Sequence, residues 1–289
     1  MTAFTEAVEQ EIEKRIRIRA ELMKWRPHYE AWIQERIWQE RYREPVLNNL
    51  KRYVGGIHKV IISDFGSGMG GLVVRLQQEG LKVFGIDYCF DYCVIAKLRG
   101  MRSSIQTQVL NAQGEFVPLK DQSLDVILCY EVIEHVFDPV ALLGEIRRTV
   151  RPHGTVFIAV PNRWSLYDHH YHLWGINYLP RRFAEWLIVR LSREKGNDLT
   201  AGQQKLSEMH YYSYFSFISL CKNIGFDMYD IREDKLLRGD LQRVSHGIQW
   251  IIRLLRKGGL LRLVYSIYRC TVMDGWHFQL IPKREAELS

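Results

Sequence analysis

The stretch Val60-Ile61-Ile62-Ser63-Asp64-Phe65-Gly66-Ser67-Gly68-Met69-Gly70-Gly71 joins an apolar run ending on an acid to a glycine-rich turn. β-Branched residues at 60 to 62 favour a buried strand, and the four glycines let the chain turn sharply and bring bare backbone N–H groups up to a ligand. Leu72-Val73-Val74-Arg75-Leu76 then begins a helix whose positive N-terminal end faces the same ligand. Strand, glycine turn and helix in this order form the first unit of a cofactor-binding α/β sheet.

Working outward, strands and helices continue to alternate, as in a parallel sheet covered on both faces. Lys82 to Asp87 reads as the second strand, Ile105 to Leu110 as the third, Leu124 to Tyr130 as the fourth and Thr155 to Val160 as the fifth, with helices over 90–100 and 138–150 between them. A further helix over Tyr212 to Ile224, a strand at 225–231 and a closing strand from Trp276 to Pro282 complete a doubly wound, Rossmann-like α/β fold. Ligands in such sheets bind beyond the carboxyl ends of the strands, where the strand order reverses. Residues 1–56 alternate Glu with Arg and Lys around apolar positions at helical spacing, with Pro45 placed to open a helix. They read as a helical N-terminal extension that covers the main domain, residues 57–289, and that could also serve as a lid. The rhythm breaks at about 162–210 and 233–273, which read as insertions, and the tail from Lys283 is expected to fray.

Composition narrows the class. With 47% hydrophobic residues in 289, the chain can fill a sizeable core. Five cysteines without a CxxC pair give no zinc or disulfide framework, and point to reduced thiols in the cytoplasm. No signal pattern and no run of ~18 apolar residues is present, so neither secretion nor membrane spanning is expected. The net charge of +7 is spread among acids, and no recognised DNA- or RNA-binding module accompanies it, which argues against a nucleic-acid partner.

The turn alone fits two adenosyl cofactors. Gly66-x-Gly68-x-x-Gly71 satisfies the dinucleotide fingerprint, and Asp64-x-Gly66-x-Gly68-x-Gly70 satisfies the acid-plus-glycine pattern of S-adenosylmethionine enzymes. Asp87, 21 residues after Gly66 at the end of the second strand, can accept both ribose hydroxyls of either.

The region from Asn111 to Asn162 separates them. Val117-Pro118-Leu119-Lys120-Asp121-Gln122-Ser123-Leu124-Asp125-Val126 looks like "LPFxDxSFDxV"; Glu131-Val132-Ile133-Glu134-His135-Val136 matches "xVxEHV"; Arg151-Pro152-His153-Gly154 stands where "KPGG" is common; and Pro161-Asn162 matches a "PN" after the fifth strand. On these motifs the chain resembles the class I S-adenosylmethionine-dependent methyltransferases of the type 11 group, which contains quinone, sugar and other small-molecule O-methyltransferases. The resemblance covers about 58–162 well and 210–232 more loosely. It implies a seven-stranded sheet with an antiparallel last strand, S-adenosyl-L-methionine as cofactor and S-adenosyl-L-homocysteine as product. It also implies that Gly66, Gly68 and Gly70 admit the methionyl part, with Asp64 polarising that pocket. Asp87 would hold the ribose, Tyr88 pack on the adenine, and Tyr130 and Glu131 line the sulfonium side. Where the family often has an acid for the adenine amine, this chain offers Gln113, with Asn111 as the alternative register.

The reaction expected is in-line methyl transfer to a hydroxyl of a sugar, lipid-linked glycan or other small metabolite. His135 is the base to test, because it follows the fourth strand and has a near-neutral intrinsic pKa; packing at the helix start is its other role. Asn162 and the aromatic, histidine-rich segment holding His169, His170 and Tyr171 are the acceptor-side residues. No metal is expected, since His169-His170-x-His172 would need distant partners to bind one. The basic, apolar stretch 247–269 can lie on the inner face of an anionic membrane, holding a lipid-linked acceptor, or pack beneath the closing strand. The competing functional readings are a non-catalytic cofactor-binding or partner-organising protein, and an N-methyltransferase acting on protein or RNA.

Overall fold

Three helices precede the sheet in the computed structural model, which describes residues 2–196, 198–199, 202–241 and 244–283; most of the expected frayed tail, 284–289, lies outside the described residues. Helix α1 (Thr2–Arg19) buries Val8, Ile12 and Ile16, one residue per turn on a single face. Helix α2 (Tyr29–Ile37) adds Ile33 and Ile37 to the same cluster. Helix α3 (Glu44–Tyr53) has Pro45 in its first turn, where the missing N–H costs nothing.

Five strands then run parallel: β1 (Ile61–Phe65), β2 (Lys82–Asp87), β3 (Val109–Asn111), β4 (Leu124–Tyr130) and β5 (Val150–Pro161). Helix α4 (Gly71–Gln78) follows β1, α5 (Phe90–Arg102) follows β2 and α6 (Pro139–Thr149) follows β4. A small hairpin, β6 (Tyr167–Asp168) and β7 (Leu173–Trp174), leads to α7 (Arg181–Arg190). Helix α8 (Tyr214–Ile224), strand β8 (Phe226–Asp230), helices α9 (Ile231–Arg238), α10 (His246–Lys257) and α11 (Leu261–Thr271), and strand β9 (Gly275–Pro282) complete the chain. The sheet order is β3-β2-β1-β4-β5-β9-β8, with β9 antiparallel to both neighbours. The order reverses between β1 and β4, which opens the crevice at their carboxyl ends.

Two expectations shift. The third strand is three residues long and later than expected, because residues 103–107 close the turn after α5: the Ile105 N–H donates to Gly100 O, and Thr107 packs so tightly on Gly100 that a Cβ there would lie 2.1 Å from its Oγ1. Helix α10 does not pack beneath the closing strand; none of its residues is buried, whereas α11 buries Leu261 and Tyr265.

The N-terminal helices are fastened to the sheet domain by α5. Arg15 and Arg19 both pair with Asp91 at 2.6 and 2.9 Å. Deeper, the fully buried Arg99 donates to Met69 O in the glycine turn (3.0 Å), to Ile37 O and Arg36 O at the end of α2 (2.7 and 2.8 Å), and to Glu40 Oε2 (2.5 Å). A buried guanidinium is tolerable only when its donors are met this completely.

Candidate active site

The crevice at the carboxyl ends of β1, β2 and β4 is one cavity of about 1460 Å³. A single drug-sized ligand takes roughly 300–1000 Å³, so two molecules fit. Both N-terminal helices and the first insertion contribute to its walls.

At one end lies the glycine turn. Gly66 and Gly68 both have positive φ (68° and 53°) and line the cavity. A Cβ on Gly66 would meet Val132 Cγ2 at 2.3 Å, while one on Gly68 would meet no protein atom within 4 Å, so Gly68 keeps space open for a ligand. The Gly68 N–H donates to Asp87 Oδ2 (2.6 Å) and the Cys89 N–H to Asp87 Oδ1 (2.8 Å). Each carboxylate oxygen retains a lone pair for a hydroxyl. Burial outweighs these bonds and raises the Asp87 carboxyl to about 6. Burial, opposed by Arg43 and reinforced by Asp87, raises Asp64 to about 7. The Nε of Arg43, buried in the same wall, has no partner. Tyr88 meets Phe137 edge-on at 6.3 Å, and Gln113 lines the cavity near them. Asn111 turns away: its amide donates to Asp87 O and Tyr88 O at 2.9 Å each, fixing the ends of β2 and β3. Tyr130 and Glu131 form the floor after β4, Glu131 in the left-handed region (φ 57°) that a non-glycine residue enters only at a cost.

At the other end, Glu134, His135 and His170 bring one ligand atom each within 4.8 Å of one another. The amide of Gln204 donates to His135 O, so its Oε1 faces His135 Nδ1 (2.6 Å) and that nitrogen carries the proton. The Tyr211 hydroxyl donates to Asp168 Oδ2 (2.9 Å), so its oxygen accepts from His170 Nδ1 (2.7 Å). Both imidazoles therefore present a bare Nε2. That of His170 lies 3.9 Å from Glu134 Oε1, and Glu134 Oε2 is buried without a partner. Burial pushes Glu134 up to about 8, His135 down to about 4 and His170 well below its ordinary value. His135 is thus a neutral acceptor, weaker as a base than its intrinsic pKa suggests. Two oriented imidazoles and an unsatisfied carboxylate are also a donor set that could hold a divalent cation, with Gln204 and Tyr211 fixing the ligands from behind.

Two expected site residues, Gly70 and Tyr171, do not line the cavity, and two others, Asn162 and His169, line it but are engaged elsewhere. Gly70 does not line the cavity; it packs against α5, where a Cβ would come 2.4 Å from the Ala96 Cβ. Tyr171 is buried in the insertion's own core with Ile176, Ala184 and Ile188, its hydroxyl donating to Gln204 O. Asn162 touches the cavity but is consumed by backbone, donating to Met273 O and accepting from the Trp164 N–H. His169 stands at the exposed rim, 2.9 Å from Asp274. Sequence reasoning missed Gln204, Tyr211, Lys195 and the arginines of the N-terminal helices; only Glu134, inside the quoted "EH" motif, carried a signal. Glu115 was also missed: it is buried and accepts the Phe137 N–H (2.8 Å), holding the loop before α6.

Sheet order, glycine turn and strand-end acid are those of the class I S-adenosylmethionine-dependent methyltransferase fold. Residues 63–158 match the family model Methyltransf_11, a methyltransferase domain. Over 110 residues the chain is 34% identical to the ubiquinone biosynthesis O-methyltransferase of Salmonella paratyphi A, which covers 38% of this chain and 46% of that relative. The chain therefore aligns with less than half the length of such relatives. Its fold is similar to phosphoethanolamine N-methyltransferase 2 of Haemonchus contortus, solved with phosphomonomethylethanolamine and S-adenosylhomocysteine (TM-score 0.51, 16% identity, 84% of this chain and 53% of that one). It is also similar to the YcgJ protein of Bacillus subtilis (TM-score 0.52, 12% identity, 83% and 99%). At these identities the likeness is one of fold. The matched segment holds Asp64, Asp87 and His135 and ends before His170 and Lys195.

Proposed function

We propose that this protein transfers the methyl group of S-adenosyl-L-methionine to a hydroxyl oxygen of a small acceptor, a sugar, lipid-linked glycan or other metabolite. The observation that carries this is the single cavity joining the glycine turn to the Glu134–His135–His170 cluster. Asp87 holds the ribose hydroxyls, Gly68 leaves room for the cofactor backbone, and Tyr88 and Gln113 take the adenine face and amine. Asp64 and Arg43 complement the methionyl ammonium and carboxylate, and Tyr130 and Glu131 face the sulfonium. Because the donor is already activated, alignment of the acceptor oxygen supplies most of the acceleration, on the order of 7–11 kcal/mol. The acceptor proton leaves late, so the weak bases His135 Nε2 and His170 Nε2 suffice to receive it. Calorimetric titration with S-adenosylhomocysteine tests the cofactor half; no heat and no melting shift at millimolar ligand in folded protein would refute it. An untargeted search of extract for products heavier by one CH₂ tests the acceptor half.

Glu134, with an oxygen unpartnered among the described residues, and the two imidazoles bring one ligand atom each within 4.8 Å of one another, which favours a second version in which the cluster would hold a divalent cation that acidifies the acceptor hydroxyl. His170 needed distant partners for such a site, and Glu134 and His135 fill that place. Turnover lost on chelation and restored by Mg²⁺, Mn²⁺ or Zn²⁺ would support it; chelator-resistant turnover would leave the imidazole version.

Peripheral membrane contact belongs to the same reading. Helix α10 exposes Trp250, Ile251 and Leu254 beside Arg253, Arg256 and Lys257, a composition suited to the surface of an anionic bilayer. No helix among the described residues is long and apolar enough to cross a membrane.

A further inference from the structure

Not every arginine near the N-terminus is used the same way. Arg15, Arg17 and Arg19 each pair with carboxylates on the surface. Arg26 and Arg36 line the cavity instead, and among the described residues neither forms an ion pair. One indole gathers them: the guanidinium of Arg26 lies 4.8 Å and that of Arg36 4.5 Å from the ring centre of Trp32. The Nε of Arg36 is buried without a hydrogen-bond partner. Facing them from the first insertion is Lys195, buried, lining the same cavity, with Nζ 4.8 Å from the ring centre of Tyr171.

We propose that Arg26, Arg36 and Lys195 form a seat for a phosphoryl group carried by the acceptor. The inference rests on the methyl-transfer reading and narrows its substrate class. Burial, together with the charges of Arg26 and Arg36, pushes Lys195 down to about 7, and burial with Arg36 pushes Arg26 down to about 10. Like charges are therefore held together at a cost that a bound anion removes. The carboxylates that act on Lys195 do not neutralise the group. Asp168 is occupied by the His170 and Tyr171 N–H groups, Asn177 and Tyr211, and Glu134 turns Oε1 toward His170 Nε2 at 3.9 Å. The seat lies at the acceptor end, since Lys195 packs on the Tyr171 ring, whose hydroxyl donates to Gln204 O, and the Gln204 side chain holds His135. Three cationic groups arriving from three segments suit a tetrahedral dianion better than a planar carboxylate, which offers two oxygens along one edge.

The test titrates wild-type protein with inorganic phosphate and with pyrophosphate, at ionic strength matched by chloride, with and without S-adenosylhomocysteine. Arg26→Gln and Lys195→Gln are expected to weaken phosphate binding at least tenfold while S-adenosylhomocysteine affinity stays within about twofold, which also reports a folded site. Arg26→Lys should retain phosphate binding within about threefold. Equal responses to chloride or to acetate would overturn the phosphoryl assignment. Parallel loss of S-adenosylhomocysteine binding would overturn it too, by giving the cluster to the cofactor carboxylate. Vesicles of phosphatidylcholine with phosphatidylglycerol separate an enclosed substrate phosphate from a lipid headgroup. The variants should bind vesicles as wild type does, and loss of vesicle binding would move the cluster to the surface and refute the seat. Wild type that binds phosphate but not S-adenosylhomocysteine would sink the methyl-transfer reading and leave the anion seat standing.

Discussion

Gly68 and Gly70 are two residues apart and do different work. At Gly70, φ 73°, an added Cβ collides with the Ala96 side chain and backbone, so Gly70→Ala is expected to lower stability by about 1–3 kcal/mol, visible as a lower denaturation midpoint. At Gly68 the added Cβ meets only open space, so Gly68→Ala should cost no more than the backbone term, roughly 1–2 kcal/mol, while S-adenosylhomocysteine affinity falls much further. Asp87→Ala should weaken that affinity at least tenfold by calorimetry. Protons follow the same residues. Asp64 and Asp87 have folded-state pKa values raised above 3.8, so the folded protein holds protons that the unfolded chain releases. Their stabilising contribution is full below pH about 4 and is lost as pH rises through about 6 to 7. The ligand-free melting temperature should therefore fall across that window. Binding of a cofactor ammonium beside Asp64 should release protons near pH 6.5, read as a binding enthalpy that changes with buffer ionisation heat. The acid-and-glycine spacing made this end legible in the sequence, but spacing treats the glycines as one set. Which of them faces ligand and which faces α5 depends on a helix twenty-odd residues away.

The element that binds the site together is α5. Its Arg99 meets the glycine turn, the end of α2 and Glu40 at once, and Arg99→Met should strip the buried Glu40 Oε2 of its partner, leaving Arg102 on Oε1 alone. The expected loss is about 3–5 kcal/mol, with weaker S-adenosylhomocysteine binding because Met69 O is freed from its anchor. A midpoint shift under 1 kcal/mol would contradict this role. The sheet strands were readable because each is an apolar run bounded by turn residues, and only β3, short and preceded by a tight turn, was displaced. The insertion was not readable in the same way. His170 and Tyr171 are adjacent in sequence, yet one reaches the cavity and the other fills a small core, since a two-residue strand and a turn at Asp168 decide which way each points. Gln204 and Lys195 carry no motif at all; only the fold brings them to His135.

At the scale of the whole molecule, the cavity is lined both by the segment that matches the family model and by the segments on either side of it. Helix α10 is amphipathic, and none of its residues is buried. Replacing Trp250 and Ile251 with Ser should abolish sedimentation with anionic vesicles and leave S-adenosylhomocysteine binding unchanged; unaltered sedimentation would remove the membrane from the reading. Its face was visible in the sequence as a basic apolar stretch, but its partner was not, because amphipathicity alone does not distinguish a core from a bilayer.

The Arg99 junction has a consequence for how the pocket trades its contents with solvent. A door must open cheaply, and the N-terminal helices are bolted to the glycine turn by a buried charge. Cofactor turn and cover are joined through Arg99 and are expected to move together. Cofactor binding should slow amide exchange at residues 36–40, where Gln39 packs on Gly71 and Arg99 ties the Arg36 and Ile37 carbonyls to the glycine turn. A deletion of the first 56 residues meant to widen the mouth would instead dismantle the half of the protein that holds the methyl donor.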